Sequence, residues 1–128
     1  MMTPFVDDAG MARIIELFES TKSEVLRELI IRRPIPDSLL KKSEQLIRLG
    51  VRVLDFRISK DEAGEHETFH AKVVRVDDDE CYVGSSNMTQ WSFNYSLELG
   101  FLVRGEAARR VSKILDAVQS VSMAVRLN

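Results

Sequence analysis

An α/β fold, with a mixed β-sheet flanked by helices, is what this sequence predicts, on three observations. The apolar residues switch repeatedly between helical spacing and the two-residue alternation of strands. At 128 residues the chain has the length of one domain, 1–128, too short for two independent cores. It closes on an amphipathic segment, the kind of element that covers one face of a sheet.

Each element has its own justification. Thr3 to Asp7 reads as the end of a strand with almost nothing before it. The fold therefore looks entered part-way, as if the chain were an N-terminally truncated fragment. After the turn-like Asp7-Asp8-Ala9-Gly10, the residues Met11, Ile14, Ile15, Leu17 and Phe18 recur at helical spacing. Glu24 to Arg33 reads as a strand halted by Pro34 and Pro36. Asp37 is the expected N-cap of a helix carrying Leu39, Leu40, Leu46, Ile47 and Leu49, with Gly50 at its C-terminal end. Val51 to Ile58 alternates as a second strand, and Ser59 to Glu67 has no apolar face and reads as a loop. Phe69–Val76 and Cys81–Val83 then form a strand pair around the acidic turn Asp77-Asp78-Asp79-Glu80. A polar stretch, Ser85–Ser92, leads to a strand over Leu97–Val103. The closing helix starts near Glu106, with Val111, Ile114, Leu115 and Val118 on one face.

Composition narrows the class. Hydrophobic residues at 45% and charged residues at 30% exclude a disordered or collagen-like chain. No apolar run reaches the roughly 20 residues that span a bilayer, and no signal-peptide pattern opens the chain. The single cysteine, Cys81, cannot form an internal disulfide, which makes the cytoplasm the default location. A formal net charge of −2 argues against a globally basic nucleic-acid binder while leaving room for a local basic cleft.

The informative stretch is F-H-A-K-V-V-R-V-D-D-D-E-C-Y-V-G-S-S-N, residues 69–87. His70 and Lys72 are two apart on a strand and so project to one face. The hairpin brings the chain back so that Ser85 and Asn87, again two apart, can face the same place. An imidazole, an ammonium, a hydroxyl and an amide around one volume suit a phosphate: Lys72 brings a compact charge with three donors, and His70 an imidazole nucleophile, the side chain whose unperturbed pKa lies nearest neutrality. A histidine and a lysine on a strand are ordinarily a surface pair; the full spacing is what argues otherwise. Asp77 heads the turn and reads as structural. Glu98 lies between Leu97 and Leu99, where a carboxylate needs a partner.

This spacing, from His70 and Lys72 through Asp77 to Gly84, Ser85 and Asn87, resembles the HKD motif of the phospholipase D superfamily at every fixed position. Six specified residue types, each roughly one in twenty by composition, make chance agreement improbable. Downstream, Asn94-Tyr95-Ser96-Leu97-Glu98-Leu99-Gly100 is similar to the family's N-x-x-x-E-x-G segment, although Asn94 could equally be a turn residue. The resemblance implies a phospholipase D-like half-domain, with its first strand and helix missing, whose catalytic residues are His70, Lys72 and Glu98. Lys72, Ser85 and Asn87 would bind the phosphate, Asp77, Gly84 and Asn94 would shape the motif, and no metal or other cofactor is needed. Glu98 would accept the ring N–H of His70. One His70 would attack phosphorus, a second histidine would protonate the leaving oxygen, and configuration would be retained over the two displacements. Only one motif is present, so a second half-site is implied, most simply in a homodimer, as in the superfamily's single-motif nucleases.

The expected activity is therefore a metal-independent phosphodiesterase, a nuclease on DNA or RNA. The alternatives are a phospholipid hydrolase or phosphatidyltransferase, and a non-catalytic module that binds phosphate or nucleic acid or only dimerises. Intact His70, Lys72, Ser85, Asn87 and Glu98 argue against decay to the last. His66, between Glu65 and Glu67, has the look of a metal ligand with Cys81, but the spacing fits no zinc module. Trp91 and Phe93 could stack a base or an acyl chain or pack under the sheet. Arg32-Arg33 could line a polyanion path or be a solvated strand end.

Overall fold

The computed structural model describes residues 1–59 and 66–127. α1 (Asp8–Glu19) is capped by the Asp7 carboxylate, which accepts the Gly10 N–H at 2.9 Å. It buries Met11, Ile14, Ile15 and Phe18 at the expected spacing, whereas Leu17 faces solvent. β1 (Glu28–Ile31) starts later than the predicted Glu24, for a local reason. The Arg27 guanidinium donates to the carbonyls of Phe18, Thr21, Lys22 and Leu49, which holds the preceding residues in a turn and leaves Leu26 exposed. The single helix predicted from Asp37 is two short ones, α2 (Asp37–Lys41) and α3 (Ser43–Arg48), broken at Lys42. Pro36 occupies the N-cap position assigned to Asp37. Gly50 ends the pair at φ 66°, a left-handed conformation that glycine adopts without cost.

β2 (Arg52–Asp55) runs parallel to β1. β3 (Ile58–Ser59) and β4 (His66–Glu67) pair antiparallel at the two ends of the stretch predicted to be a loop, whose middle lies outside the described residues. β5 (Lys72–Val76) and β6 (Glu80–Gly84) form the expected hairpin, turning at Asp77 with φ 53°. The polar segment holds a helix, α4 (Gln90–Asn94), capped by Thr89, whose hydroxyl accepts the Ser92 N–H. β7 (Gly100–Arg104) pairs with β6, α5 (Glu106–Val121) follows as predicted except that Ile114 faces solvent, and β8 (Met123–Ala124), which no pattern foretold, lies antiparallel to β2.

The opening residues join the sheet. Met2 exchanges hydrogen bonds with Val73 at 2.8 and 2.9 Å, while Thr3 N donates to Ile30 O and Ile30 N to Met1 O. The strand order is therefore β8–β2–β1, then the Met2 segment, then β5–β6–β7. One core lies between α1–α3 and the strand residues Leu29, Ile31 and Val53. The other lies on the opposite face, where α5 covers Met2, Ile30, Leu54, Val73 and Cys81. The sheet is thus mixed and flanked by helices.

Candidate active site

Strand geometry decides where Lys72 points. Val73 and Cys81 face α5, and Arg75 pairs with Asp116 of α5 at 2.6 Å. Lys72 and Val74 must then face the other way. β5 begins at Lys72 rather than at Phe69, so His70 precedes the strand instead of lying on it. The two side chains nevertheless meet: Lys72 Nζ lies 2.8 Å from His70 Nδ1 and 3.3 Å from Nε2. An ammonium can donate only to a ring nitrogen that carries a lone pair, and which of the two nitrogens does so depends on the tautomer. Lys72 is 6% exposed, while His70 is open to solvent. Burial pulls the Lys72 ammonium below its ordinary pKa; Glu98 opposes this shift and Arg32 adds to it.

Across the hairpin, Lys72 is in register with Gly84, and Gly84 with Gly100. The Tyr82 ring lies over both glycines, and a Cβ at either would overlap its phenol. Just past Gly84, the Ser85 hydroxyl donates to the Glu98 carboxylate and accepts the Leu99 N–H at 3.0 Å. Ser92, on α4, also hydrogen-bonds Glu98, and its hydroxyl accepts the Asn87 N–H at 3.3 Å. These hydroxyls, Ser85 first and Ser92 next, hold the Glu98 carboxyl below the usual carboxylate range, with help from the Lys72 charge. Asn87 Oδ1 is buried and makes no hydrogen bond among the described residues.

One expectation changes here. Glu98 was to accept the ring N–H of His70, but within this chain it is bonded to Ser85 and Ser92, and His70 to Lys72. The reason is register: Gly84 pairs with Gly100, so the residues just outside that pair, Ser85 and Glu98–Leu99, face each other. His70, Lys72, Ser85, Asn87 and Glu98 otherwise gather at one end of the β5–β7 ribbon. Asp77 lies at the other end, about 17 Å away along a five-residue strand. Asn94 ends α4, solvent-exposed.

Four contributors escaped the sequence reading. Ser92 ties Glu98 to the Asn87 backbone; Thr89, three residues earlier, was the capping signal that could have revealed its helix. Asp7 accepts the N–H of Gly10 at 2.9 Å and of Gln90 at 2.7 Å, clamping the Asn87 loop to the start of α1. Gly10 packs so closely on Met88 O that no side chain fits there. Phe5 places its ring edge toward His70, centroids 6.0 Å apart. Of the residues with open readings, Cys81 is fully buried under α5, and burial pushes its thiol up. The side chain of His66 lies outside the described residues. Trp91 is 68% exposed and stacks on Tyr95, not under the sheet.

Known proteins share this fold. The fold is similar to that of NucT from Helicobacter pylori, with a TM-score of 0.76 at 9% identity, over 97% of this chain and 80% of that one. It is also similar to Nuc, a phospholipase D family member from Salmonella typhimurium, with a TM-score of 0.65 at 14% identity, over 98% of this chain and 78% of that one. No curated protein sequence matches the chain. Residues 5–119 match the family described as "Cardiolipin synthase, PLD-like domain", so the chain belongs to the phospholipase D-like phosphodiesterase family.

Proposed function

We propose that this protein is a metal-independent nuclease of the phospholipase D type, one half-domain over residues 1–128, working in the cytoplasm as a homodimer on DNA or RNA. The observation that carries the reading is the buried Lys72 ammonium against the His70 imidazole, 2.8 Å apart, with Ser85, Asn87 and Glu98 beside them. A burial-strained cation is stabilised by an incoming phosphate anion, and the buried, unpartnered Asn87 Oδ1 offers one more polar group to a substrate or a partner. A ring nitrogen of His70 attacks phosphorus as the P–O bond to the leaving group breaks, and the His70 of the second copy gives that oxygen its proton. The second histidine then takes a proton from water, whose oxygen displaces the first. Lys72 and Asn87 hold the non-bridging oxygens throughout.

Support for a second copy comes from the sheet. The face of β5–β7 that carries Lys72 also carries Val74, Val76, Tyr82 and Leu102, with Val76 56% and Leu102 59% exposed. Among the described residues no helix covers this apolar patch, and such a patch marks an interface. Docking two such faces brings two His70–Lys72 pairs toward one substrate.

A lipid reading is favoured by one observation: the family description names cardiolipin synthase, and Trp91, Tyr95, Leu97 and Leu99 stand exposed near the site. No helix among the described residues is long and apolar enough to cross a membrane. The deciding experiment incubates wild type and His70→Ala with labelled single- and double-stranded DNA and RNA in excess EDTA, beside anionic phospholipid vesicles. Cleavage of nucleic acid by wild type alone is the expected result. Turnover confined to the vesicles moves the substrate to lipid, and binding without turnover anywhere leaves a non-catalytic module.

A further inference from the structure

Two arginines leave β1 side by side, and their surroundings differ. Arg33 Nε bonds Asp55 Oδ2 at 2.7 Å, an ion pair with a buried carboxylate. Arg32 pairs with no carboxylate among the described residues. Its one hydrogen bond among the described residues, to Phe69 O, is long at 3.4 Å. Instead its guanidinium lies over the Phe5 ring, 4.2 Å from the centroid, a cation–π contact that holds the charge in place without neutralising it. The Phe5 ring centroid is 6.0 Å from that of His70, so the guanidinium stands within about 10 Å of the imidazole. It also acts on Lys72, depressing that ammonium.

Behind Phe5 and Arg32 opens a pocket of about 260 Å³, walled by Pro34, Thr89 and Arg33. Its acid, Asp7, accepts a backbone N–H on each carboxylate oxygen and forms no ion pair with either arginine among the described residues. The volume lies below the roughly 300–1,000 Å³ of drug-sized sites, which suits one nucleobase or sugar.

We propose that Arg32, held over Phe5, is a second phosphate subsite, which takes the phosphodiester next to the one His70 attacks and seats its attached nucleoside in the adjoining pocket. The inference rests on the nuclease reading and specifies its substrate as a strand with at least two phosphates. A planar guanidinium suits this task because its fork grips two phosphate oxygens at once. The flanking base can lie against the apolar wall that Phe5 and Pro34 provide.

The test compares an unstructured single-stranded DNA oligonucleotide with bis(p-nitrophenyl) phosphate, a diester that has no neighbouring phosphate. Arg32→Gln keeps a donor for Phe69 O and removes the charge; Arg32→Lys keeps the charge and loses the fork. For the oligonucleotide, Arg32→Gln is expected to raise KM about tenfold, the loss of one charge-assisted contact, with Arg32→Lys in between. On the single diester, kcat/KM should stay within about twofold, the scatter of a neutral surface change. The salt dependence of oligonucleotide binding should also flatten by about 0.7 in log–log slope, one phosphate contact fewer. An equal loss on both substrates would show that Arg32 acts only through Lys72 or the fold, and an unchanged oligonucleotide KM with an unchanged slope would overturn the subsite directly. If wild type cleaves the single diester and neither cleaves nor binds the oligonucleotide, nucleic acid and subsite fall together while the phosphodiesterase stands. If wild type cleaves neither, the catalytic reading fails, and the salt slope alone decides whether Arg32 holds a phosphate.

Discussion

The two halves of the sheet are built to opposite rules. Around β1 and β2, helices close both faces, and every residue of Glu28–Ile31 is buried. Around β5–β7, α5 closes one face, while no helix among the described residues covers the other, where Val76 and Leu102 stand exposed on the same side as the buried Lys72. The first half carries the stability, since apolar area removed from water is the main favourable term in folding. The second keeps a charge where folding alone would not place one. Cutting side chains from the two halves should therefore have opposite consequences.

The largest expected effect is at Lys72. Lys72→Met should lower turnover about a thousandfold, as losing a donor to developing charge does, and should raise the melting temperature by about 4 °C if it gains 1 kcal/mol. The sign follows from its depressed pKa. Between the folded-state value and the ordinary 10.5 the unfolded chain binds more protons, so wild-type stability rises with pH through that window. Urea midpoints at neutral and alkaline pH should show this rise in wild type and not in Lys72→Met. A destabilised Lys72→Met would erase the contrast between the halves.

Leu29→Ala, in the closed half, should cost about 2–5 kcal/mol and lower the denaturation midpoint accordingly. Leu102→Glu, on the bare face, should change protomer stability by no more than about 0.5 kcal/mol, yet lower the sedimenting mass and abolish activity at low concentration. Loss of activity with the mass unchanged would separate that face from assembly. Gly100→Ala should cost about 1–3 kcal/mol through overpacking against the Tyr82 ring, and Tyr82→Ala in the same chain should relieve most of it in equilibrium unfolding.

The smallest effect is expected at Glu98. Its carboxyl is held below the ordinary 4.5, so its contribution to stability is full above that pH and fades as acid carries it through the lower folded value. Glu98→Gln should flatten the acid limb of the stability profile, read by circular dichroism against pH. An unchanged limb would show that Ser85 and Ser92 bind the amide as well as the carboxylate.

The sequence revealed the fold class and the hairpin that carries the candidate site, but not every contact within them. The returning hairpin, a local rule of strand pairing, is what brings His70 and Lys72 to the same end of the ribbon as Ser85 and Asn87, although His70 precedes β5 and the other two follow β6. The sequence did not reveal that Glu98 would bond Ser85 and Ser92, since that depends on which residues fall just outside the Gly84–Gly100 pair. The turn held by Arg27 and the break at Lys42 were equally hidden. In the first a side chain gathers carbonyls from three separate turns, and in the second a helix breaks with no glycine or proline to mark it. β8 has two residues, too few for any periodicity to register.

The Asp7 clamp has a consequence for how the molecule becomes active. The β5–β6 hairpin needs only neighbours in sequence and can close early, but the loop that carries Asn87 is fastened to Asp7, whose partner Gln90 lies 83 positions away. Contacts of such separation are costly to close and form late. A chain refolding from denaturant should therefore regain its hairpin before its turnover, which makes catalysis a clock for the docking of the first residues against the last strands.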